Sequence, residues 1–400
     1  MDPVYLDNNA TTRVDPEAVK SMLPFFTEQF GNPSSMHAFG SEVGGALKAA
    51  RKALQALIGS EHDHEIIFTS GGTESNTTAI RSGLAADPTR NEVITSTVEH
   101  PAILALCDWL EKHEGVIVHR IPVDNQGRLD IEAYRAALNE KTAVVSFMWA
   151  NNETGTVFPI EGLAELAKEA GALFHTDAVQ AVGKIPLDIK STAVDMLSLS
   201  GHKFHGPKGT GALYVRRGTR FTPLVRGGHQ ERGRRAGTEN APSLIGMGKA
   251  AEIALENLDV ETTRVRAQRD RLEAGLVQKI GHCFVTGDPN DRLPNTATIA
   301  FEYIEGEAIL LMLNQSGIAA SSGSACTSGS LEPSHVLRAM DIPFTAAHGA
   351  IRFSLSRDTT DEEIDRVLAV MPEIIAKLRT MSPFWSEEGA KPDTFQPAYA

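Results

Sequence analysis

Lys203 stands in SLSGHKFHGPKGTG (Ser198 to Gly211), where an apolar run ends in Ser200-Gly201-His202-Lys203 and gives way to a Gly/Pro-rich turn. An amine at a strand end, beside a glycine and a hydroxyl, is placed to form a Schiff base with a carbonyl cofactor; the bland reading is a solvated surface lysine. FTSGGTESN (Phe68 to Asn76) opens a helical pattern with two glycines and Thr73. Free backbone N–H groups and a hydroxyl at a helix N-terminus hold a phosphate well, and the same residues also read as a plain helix cap.

Two further junctions carry titratable groups. FHTDAVQ sets Asp177 just past an apolar run, with Gln180 three residues on. An acid there would pair with the protonated ring nitrogen of pyridoxal phosphate, and Gln180 could donate to the ring's phenolic oxygen; an Asp capping a helix is the alternative. TVEHPA places His100 at another such junction, where an imidazole of ordinary pKa near 6.5 could stack on a ring and shuttle protons, or serve structure alone.

The elements that must hold these residues alternate short β-branched runs with helical patterns, which predicts a mainly parallel sheet covered by helices. Strands are expected at Glu65–Thr69, Glu92–Ser96, Val116–His119, Ala143–Phe147, Leu173–Thr176, Asp195–Ser200 and Gly211–Val215, with a helix over Gly162–Ala170 between them. On this reading Gly72-Thr73, His100, Asp177 and Lys203 all fall at the carboxyl ends of strands, where open α/β sheets bind ligands. One charged helix is expected over Ala241–Ile280. Strands at Thr296–Tyr303 and Ile351–Ser356, with helices at Glu307–Ser316 and Asp361–Arg379, then predict a smaller α+β domain. The stretch SPFWSEEGAKPDTFQPAYA is Pro-rich and aperiodic, a docked arm or a disordered tail.

The 400 residues carry a net charge of −13, which argues against a general nucleic-acid binder. The one basic cluster, RGGHQERGRRAGTEN (Arg226 to Asn240), suits a small anion better than a duplex. Three cysteines without a CxxC pair give no disulfide framework and fit a cytoplasmic setting. No apolar leader or run of membrane-spanning length is seen, so no membrane association is expected. His202/His205 and His62/His64 lack the carboxylate or cysteine partners of a zinc site. Cys107, in AILALCDWL, reads as core, and Cys283, in IGHCFVTG, as a strand or turn residue. Cys326 sits among small flexible residues in SSGSACTSG, and a thiol with nothing bulky around it suits a segment that must move.

Taken together, SGGTESN, EHPA, ANNETG, HTDAVQ, SGHKFHGPKG, RRAGTEN and SSGSACTSGS, running from YLDNNATT to IRFSLSR, resemble the class I cysteine desulfurases of the pyridoxal-phosphate-dependent class V aminotransferases. SSGSACTSGSLEPSHVLRAM and the SPFW…YA tail look most like the nitrogen-fixation type. The resemblance implies fold type I, with residues 15–257 as a large cofactor-binding domain. Residues 1–14 and 258–384 would form a small domain carrying the cysteine loop, and 385–400 a tail. It implies that Lys203 holds the cofactor covalently, Asp177 pairs its ring nitrogen, Gln180 its ring oxygen, and His100 stacks on the ring. Gly72, Thr73, Ser200 and His202 would bind the phosphate, with Gly201 and Asn152 also in cofactor binding. Thr238 would reach the phosphate in the neighbouring subunit of a homodimer. Asn152 and Arg352 would hold the substrate, L-cysteine, which becomes L-alanine while Cys326 takes the sulfur as a persulfide. An iron–sulfur scaffold protein would receive that sulfur for nitrogenase maturation, with Cys326 a transient cluster ligand in delivery. Selenocysteine lyase, aminotransferase and a non-enzymatic sulfur carrier are the competing readings.

Overall fold

Seven apolar, largely β-branched runs pair into one sheet in the computed structural model, which describes residues 2–322, 333–386 and 389–390. A short strand, β1 (Val4–Tyr5), precedes them. The seven are β2 (Ile66–Thr69), β3 (Glu92–Ser96), β4 (Ile117–Ile121), β5 (Thr142–Met148), β6 (Leu173–Asp177), β7 (Met196–Ser200) and β8 (Gly211–Val215). Their order across the sheet is β2-β8-β7-β6-β5-β3-β4. All seven lie where the sequence places strands, within one or two residues. β5 and β7 are buried at every position, as expected where helices cover both faces.

Every neighbouring pair is parallel except those of β8, which runs antiparallel to both β7 and β2. Its reversal follows from chain length. Only residues 201–210 link β7 to β8, and a parallel return needs a crossover of a dozen residues or more. That short link is the turn that carries Lys203.

Capping residues set several helix ends next to the site. His100 caps the helix Pro101–Glu114, with Pro101 at its first position and Gly115 closing it at φ 68°. The helix Gly72–Ala86 starts directly after β2, with Gly71 at φ 152°. The single helix expected over Ala241–Ile280 is instead broken. A helix Ala241–Glu256 stops at Asn257, whose side chain turns back onto the Ile253 carbonyl. A helical turn, a π-helical turn (Glu261–Val265) and the helix Arg266–Lys279 follow. The charged periodicity runs through the break, so the pattern alone does not reveal it.

A second sheet follows. Its members are β9 (Cys283–Val285), β10 (Thr296–Phe301), β12 (Ser321–Ser322) and β13 (Ala350–Ser354), all antiparallel in the order β12-β13-β10-β9; β11 (Ile318–Ala319) pairs instead with β1. The core around the main sheet holds Leu54, Phe68, Phe147, Phe174, Leu197 and Tyr214. A separate core under the second sheet holds Leu6, Leu272, Ile299, Phe353, Ile364 and Met371. Cys107 is fully buried, and Cys283 lies in a strand of the second sheet. Among the described residues no helix is long and apolar enough to cross a membrane, and no cluster of His, Cys, Asp or Glu could hold a metal.

Candidate active site

The carboxyl ends of β2, β5, β6 and β7, with the His100 cap, enclose a cavity of about 330 Å³. Its walls include Gly72, Thr73, His100, Asn152, Asp177, Gln180, Ser200, His202, Lys203 and Arg352, so ten residues picked from the sequence converge on one space. Gly201 stands behind it, packed so closely that an added Cβ would meet Thr210 Oγ1 at 2.8 Å. Thr238 is exposed and is not among the residues lining this cavity. Cys326 lies outside the described residues. A larger, apolar cavity of about 420 Å³, lined by Tyr303, Phe344, Leu378 and Phe384, contains none of these groups.

Asp177 ends β6 with 6% of its surface exposed. Its Oδ2 accepts from Asn76 Nδ2 at 2.6 Å and its Oδ1 from the Val179 N–H at 3.0 Å, which fixes the carboxylate plane. The strand below is held by neutral His175, bridging Ser146 and Ser198 at 2.8 Å each; burial pushes its pKa down to about 3. Lys203 Nζ donates to the carbonyls of Asn9 (2.5 Å) and Ala10 (2.9 Å). Burial lowers the His100 pKa; nearby Asp177 opposes this and Lys203 adds to it. His100 Nδ1 accepts the Ala102 N–H at 3.1 Å, so in the neutral ring the proton sits on Nε2.

Beside this cavity lies a polar cup of about 380 Å³ formed by Gly71, Gly72, Thr73, Ser200, His202 and Lys208, among others. It sits at the start of the helix Gly72–Ala86, where backbone N–H groups and the helix dipole favour an anion. Gly72 lines both spaces, and a Cβ on it would come within 2.9 Å of Val179 Cγ2, so a larger residue there would crowd the cavity wall. His202 is kept neutral, its pKa pushed down to about 4 by burial and then by Lys203 and Lys208. The basic cluster contributes less than its composition promises. Arg235 pairs with Glu74 and Arg234 reaches the His64 carbonyl, so the cation in the cup is Lys208.

Arg352, 3% exposed, sits in the middle of β13, between Thr298 and Ser321 on the flanking strands. Its Nη1 donates to the Asn152 carbonyl (2.9 Å) and its Nη2 to Asp7 Oδ1 (3.0 Å), while Nε has no partner among the described residues. A braced guanidinium with donors to spare in a cavity is suited to a carboxylate. The described residues flanking the stretch that carries Cys326 meet the cavity wall or residues next to it in the chain. Ser321 pairs with Arg352; beyond the stretch, Ser334 bonds Glu153 and His335 Nε2 bonds the Glu99 carbonyl at 3.0 Å.

Sequence reasoning missed the residue on which these contacts turn. Asn9, buried, donates its backbone N–H to Ser354 Oγ (2.9 Å), and its carbonyl accepts from Lys203 and Gln180. Its side chain accepts from Asn295 and Lys184 and donates to Thr296 Oγ1 and the Asn152 carbonyl. Every polar group of Asn9 is used, half toward the main sheet and half toward the second. Asn76 and Lys208 were also missed. Asn76 lies one helical turn beyond Gly72, a spacing that could have pointed to it; nothing local marks Asn9.

The aminotransferase class-V family model matches residues 4–367. A cysteine desulfurase of Gluconacetobacter diazotrophicus is 70% identical over 400 residues, covering all of both chains. The cysteine desulfurase NifS of Azotobacter vinelandii is 67% identical over 402 residues, again with full coverage of both. A solved structure described as a NifS-like protein superposes with a TM-score of 0.88 at 37% identity, covering 94% of this chain and 100% of that one. Family match, full-length identity and shared fold agree: the chain belongs to the class-V aminotransferase family and, within it, to the cysteine desulfurases.

Proposed function

We propose that the cavity binds pyridoxal phosphate and L-cysteine, and that the protein moves the substrate's sulfur onto Cys326. The observation that carries this reading is the convergence of Lys203, Asp177, Gln180 and His100 on one cavity, with an anion cup on one side and Arg352 on the other. The residues fit the cofactor: the cup takes a dianionic phosphate, Asp177 offers a fixed carboxylate to a ring nitrogen, and Lys203 supplies the amine that holds an aldehyde. Bound there, pyridoxal phosphate supplies an electron sink for the charge that develops at the substrate's α-carbon.

The chain's own residues do the rest. Arg352 holds the cysteine carboxylate, with Asn152 and Asp7 keeping the guanidinium in plane. With the cofactor bound, Lys203 Nζ would be the base placed to take the substrate's α-proton and to return it to the α-carbon of the product. The Cys326 thiolate attacks the substrate sulfur: a new S–S bond forms, the Cβ–S bond breaks, and its electron pair stays on carbon and is protonated. The products are L-alanine and a Cys326 persulfide, with no outside oxidant or reductant. A free thiol of pKa about 8.5 is only a few per cent ionised at neutral pH, so Cys326 must lose a proton inside the site. His100 Nε2–H is a donor while Nδ1 caps its helix, so it can receive that proton only by giving up the cap.

Partners follow from surface chemistry. Leu23, Phe26, Phe30, Met36 and Phe39 are each more than half exposed, and the Phe30 and Phe39 rings stand 6.0 Å apart. Apolar surface of that extent favours a homodimer, in which Thr238 of the partner subunit would reach the phosphate cup. The division proposed is residues 15–257, with 1–14 and 258–384 as the second unit; the core under the second sheet draws only on that second unit, while the main-sheet core also takes in its Leu293, Ala300, Val336 and Met340. The persulfide would pass to an iron–sulfur scaffold serving nitrogenase, in the cytoplasm.

Purified protein should be yellow, with the visible band of bound pyridoxal phosphate, and Lys203→Ala should abolish that band. Cys326→Ala should stay yellow and bind L-cysteine while sulfide release falls at least ~100-fold. A colourless wild-type protein overturns the cofactor reading. Normal desulfuration by Cys326→Ala overturns the acceptor and makes selenocysteine lyase the better description.

A further inference from the structure

Lys184 has no part in the steps above, yet it is 5% exposed and lies four residues beyond Gln180 in the run of turns after β6. Its Nζ donates to Gln180 Oε1 at 2.8 Å and to Asn9 Oδ1 at 3.3 Å. On the other side of the same carboxamide, Gln180 Nε2 donates to the Asn9 carbonyl at 3.0 Å. A backbone carbonyl only accepts, and a lysine amine donates in either charge state here, so the two neighbours demand the same orientation of the amide. One N–H of Gln180 is spent on Asn9. The other is left for the cavity that Gln180 lines.

The lysine is itself held. It shares a cavity of about 10 Å³, close to the size of one water, with Lys203 and with Glu261 from the π-helical turn. Glu261 is nearly buried; its Oε1 accepts the Arg357 N–H at 3.1 Å, and its Oε2 has no hydrogen-bond partner among the described residues. Burial, with repulsion from Lys203, lowers the Lys184 pKa to about 7, and attraction to Glu261 opposes the drop. Burial raises the Glu261 pKa to about 7. An amine this costly to bury, sharing a small cavity with a carboxyl from another element, is unexpected where an apolar residue would pack.

We propose that Lys184 is a positioning residue: it locks the Gln180 carboxamide with its amino group turned into the cavity, toward the acceptor oxygen of the cofactor's ring. The proposal rests on the reading that the cavity binds pyridoxal phosphate, and a donor at that oxygen favours its ionised form.

The test follows the pH titration of the visible cofactor band in wild type, Gln180→Ala, Lys184→Met, Lys184→Gln and the Gln180→Ala/Lys184→Met double variant, with thermal unfolding of each cofactor-free protein alongside. Gln180→Ala should raise the midpoint by about one pH unit. Lys184→Met should raise it in the same direction by at least roughly half as much, and the double variant should move no further than Gln180→Ala. Lys184→Gln, which keeps a donor, should titrate as wild type. An unmoved midpoint in Lys184→Met, or additive shifts in the double variant, overturns the proposal. Should Lys184→Met fail to fold, Lys184→Gln decides: a wild-type midpoint supports the role and a Gln180→Ala midpoint overturns it. A wild-type protein without the band overturns the cofactor reading and this proposal together, whereas a normal wild-type band with unmoved variants overturns this proposal alone.

Discussion

Glu99 keeps its proton at neutral pH. It is fully buried at the head of the His100 cap, and its Oε1 accepts from Ser96 Oγ (2.7 Å) and the Met148 N–H (3.0 Å) while Oε2 has no partner among the described residues. Burial pushes its pKa up to about 8; the two hydrogen bonds oppose this, and Asp177 adds a smaller push upward. The unfolded chain releases this proton near pH 4.5, so between about 4.5 and 8 the folded state binds more protons than the unfolded one. Stability from this group is therefore full below pH 4.5 and is lost as pH rises through about 8. Glu99→Gln should remove that loss. Its stability relative to wild type should improve by roughly 3 kcal/mol between pH 5 and pH 8, read from denaturant unfolding at both values. A pH-independent difference would mean that Glu99 ionises freely in the fold. Glu153 behaves similarly: burial raises it to about 7, with Ser334 and Arg352 opposing.

At the scale of elements, the cup depends on how closely β2, β7 and β8 approach. A Cβ on Gly211, the first residue of β8, would lie 2.6 Å from both the Gly71 Cα and the Leu199 carbonyl oxygen. Both are backbone atoms that cannot swing aside. Gly211→Ala should therefore destabilise the fold by about 1–3 kcal/mol and speed the loss of pyridoxal phosphate, measured by unfolding and by decay of the visible band on dilution. Wild-type cofactor retention with lowered stability would separate the cup from this strand contact. The same elements show what a pattern can carry. Runs such as EVITS and TAVVSFM leave little choice but buried strands, and the junctions after them follow. The reversal of β8 and the π-helical turn at Glu261 are set by link length and by the sheet that the chain must next reach.

For the whole molecule, the exposed Phe26, Phe30, Met36 and Phe39 surface is the main question. A Phe30→Asp/Phe39→Asp double variant should sediment as a monomer where wild type sediments as a dimer, and should hold its cofactor more weakly for want of Thr238 from the partner subunit. A monomeric wild type with full cofactor binding would rule the shared site out. The sequence by itself determined the strand runs, the chemistry at their ends and the family, because each is written in residue types a few positions apart. Lys203, Asp177, Gln180 and His100 were legible for that reason. The tertiary structure alone decided that Asn9 joins the two sheets, that Lys208 rather than the arginine cluster supplies the cup's cation, and that Lys184 stands behind Gln180. Those roles come from contacts between residues as far as 345 positions apart, as between Asn9 and Ser354, and local spacing carries no record of which distant donor will meet which acceptor.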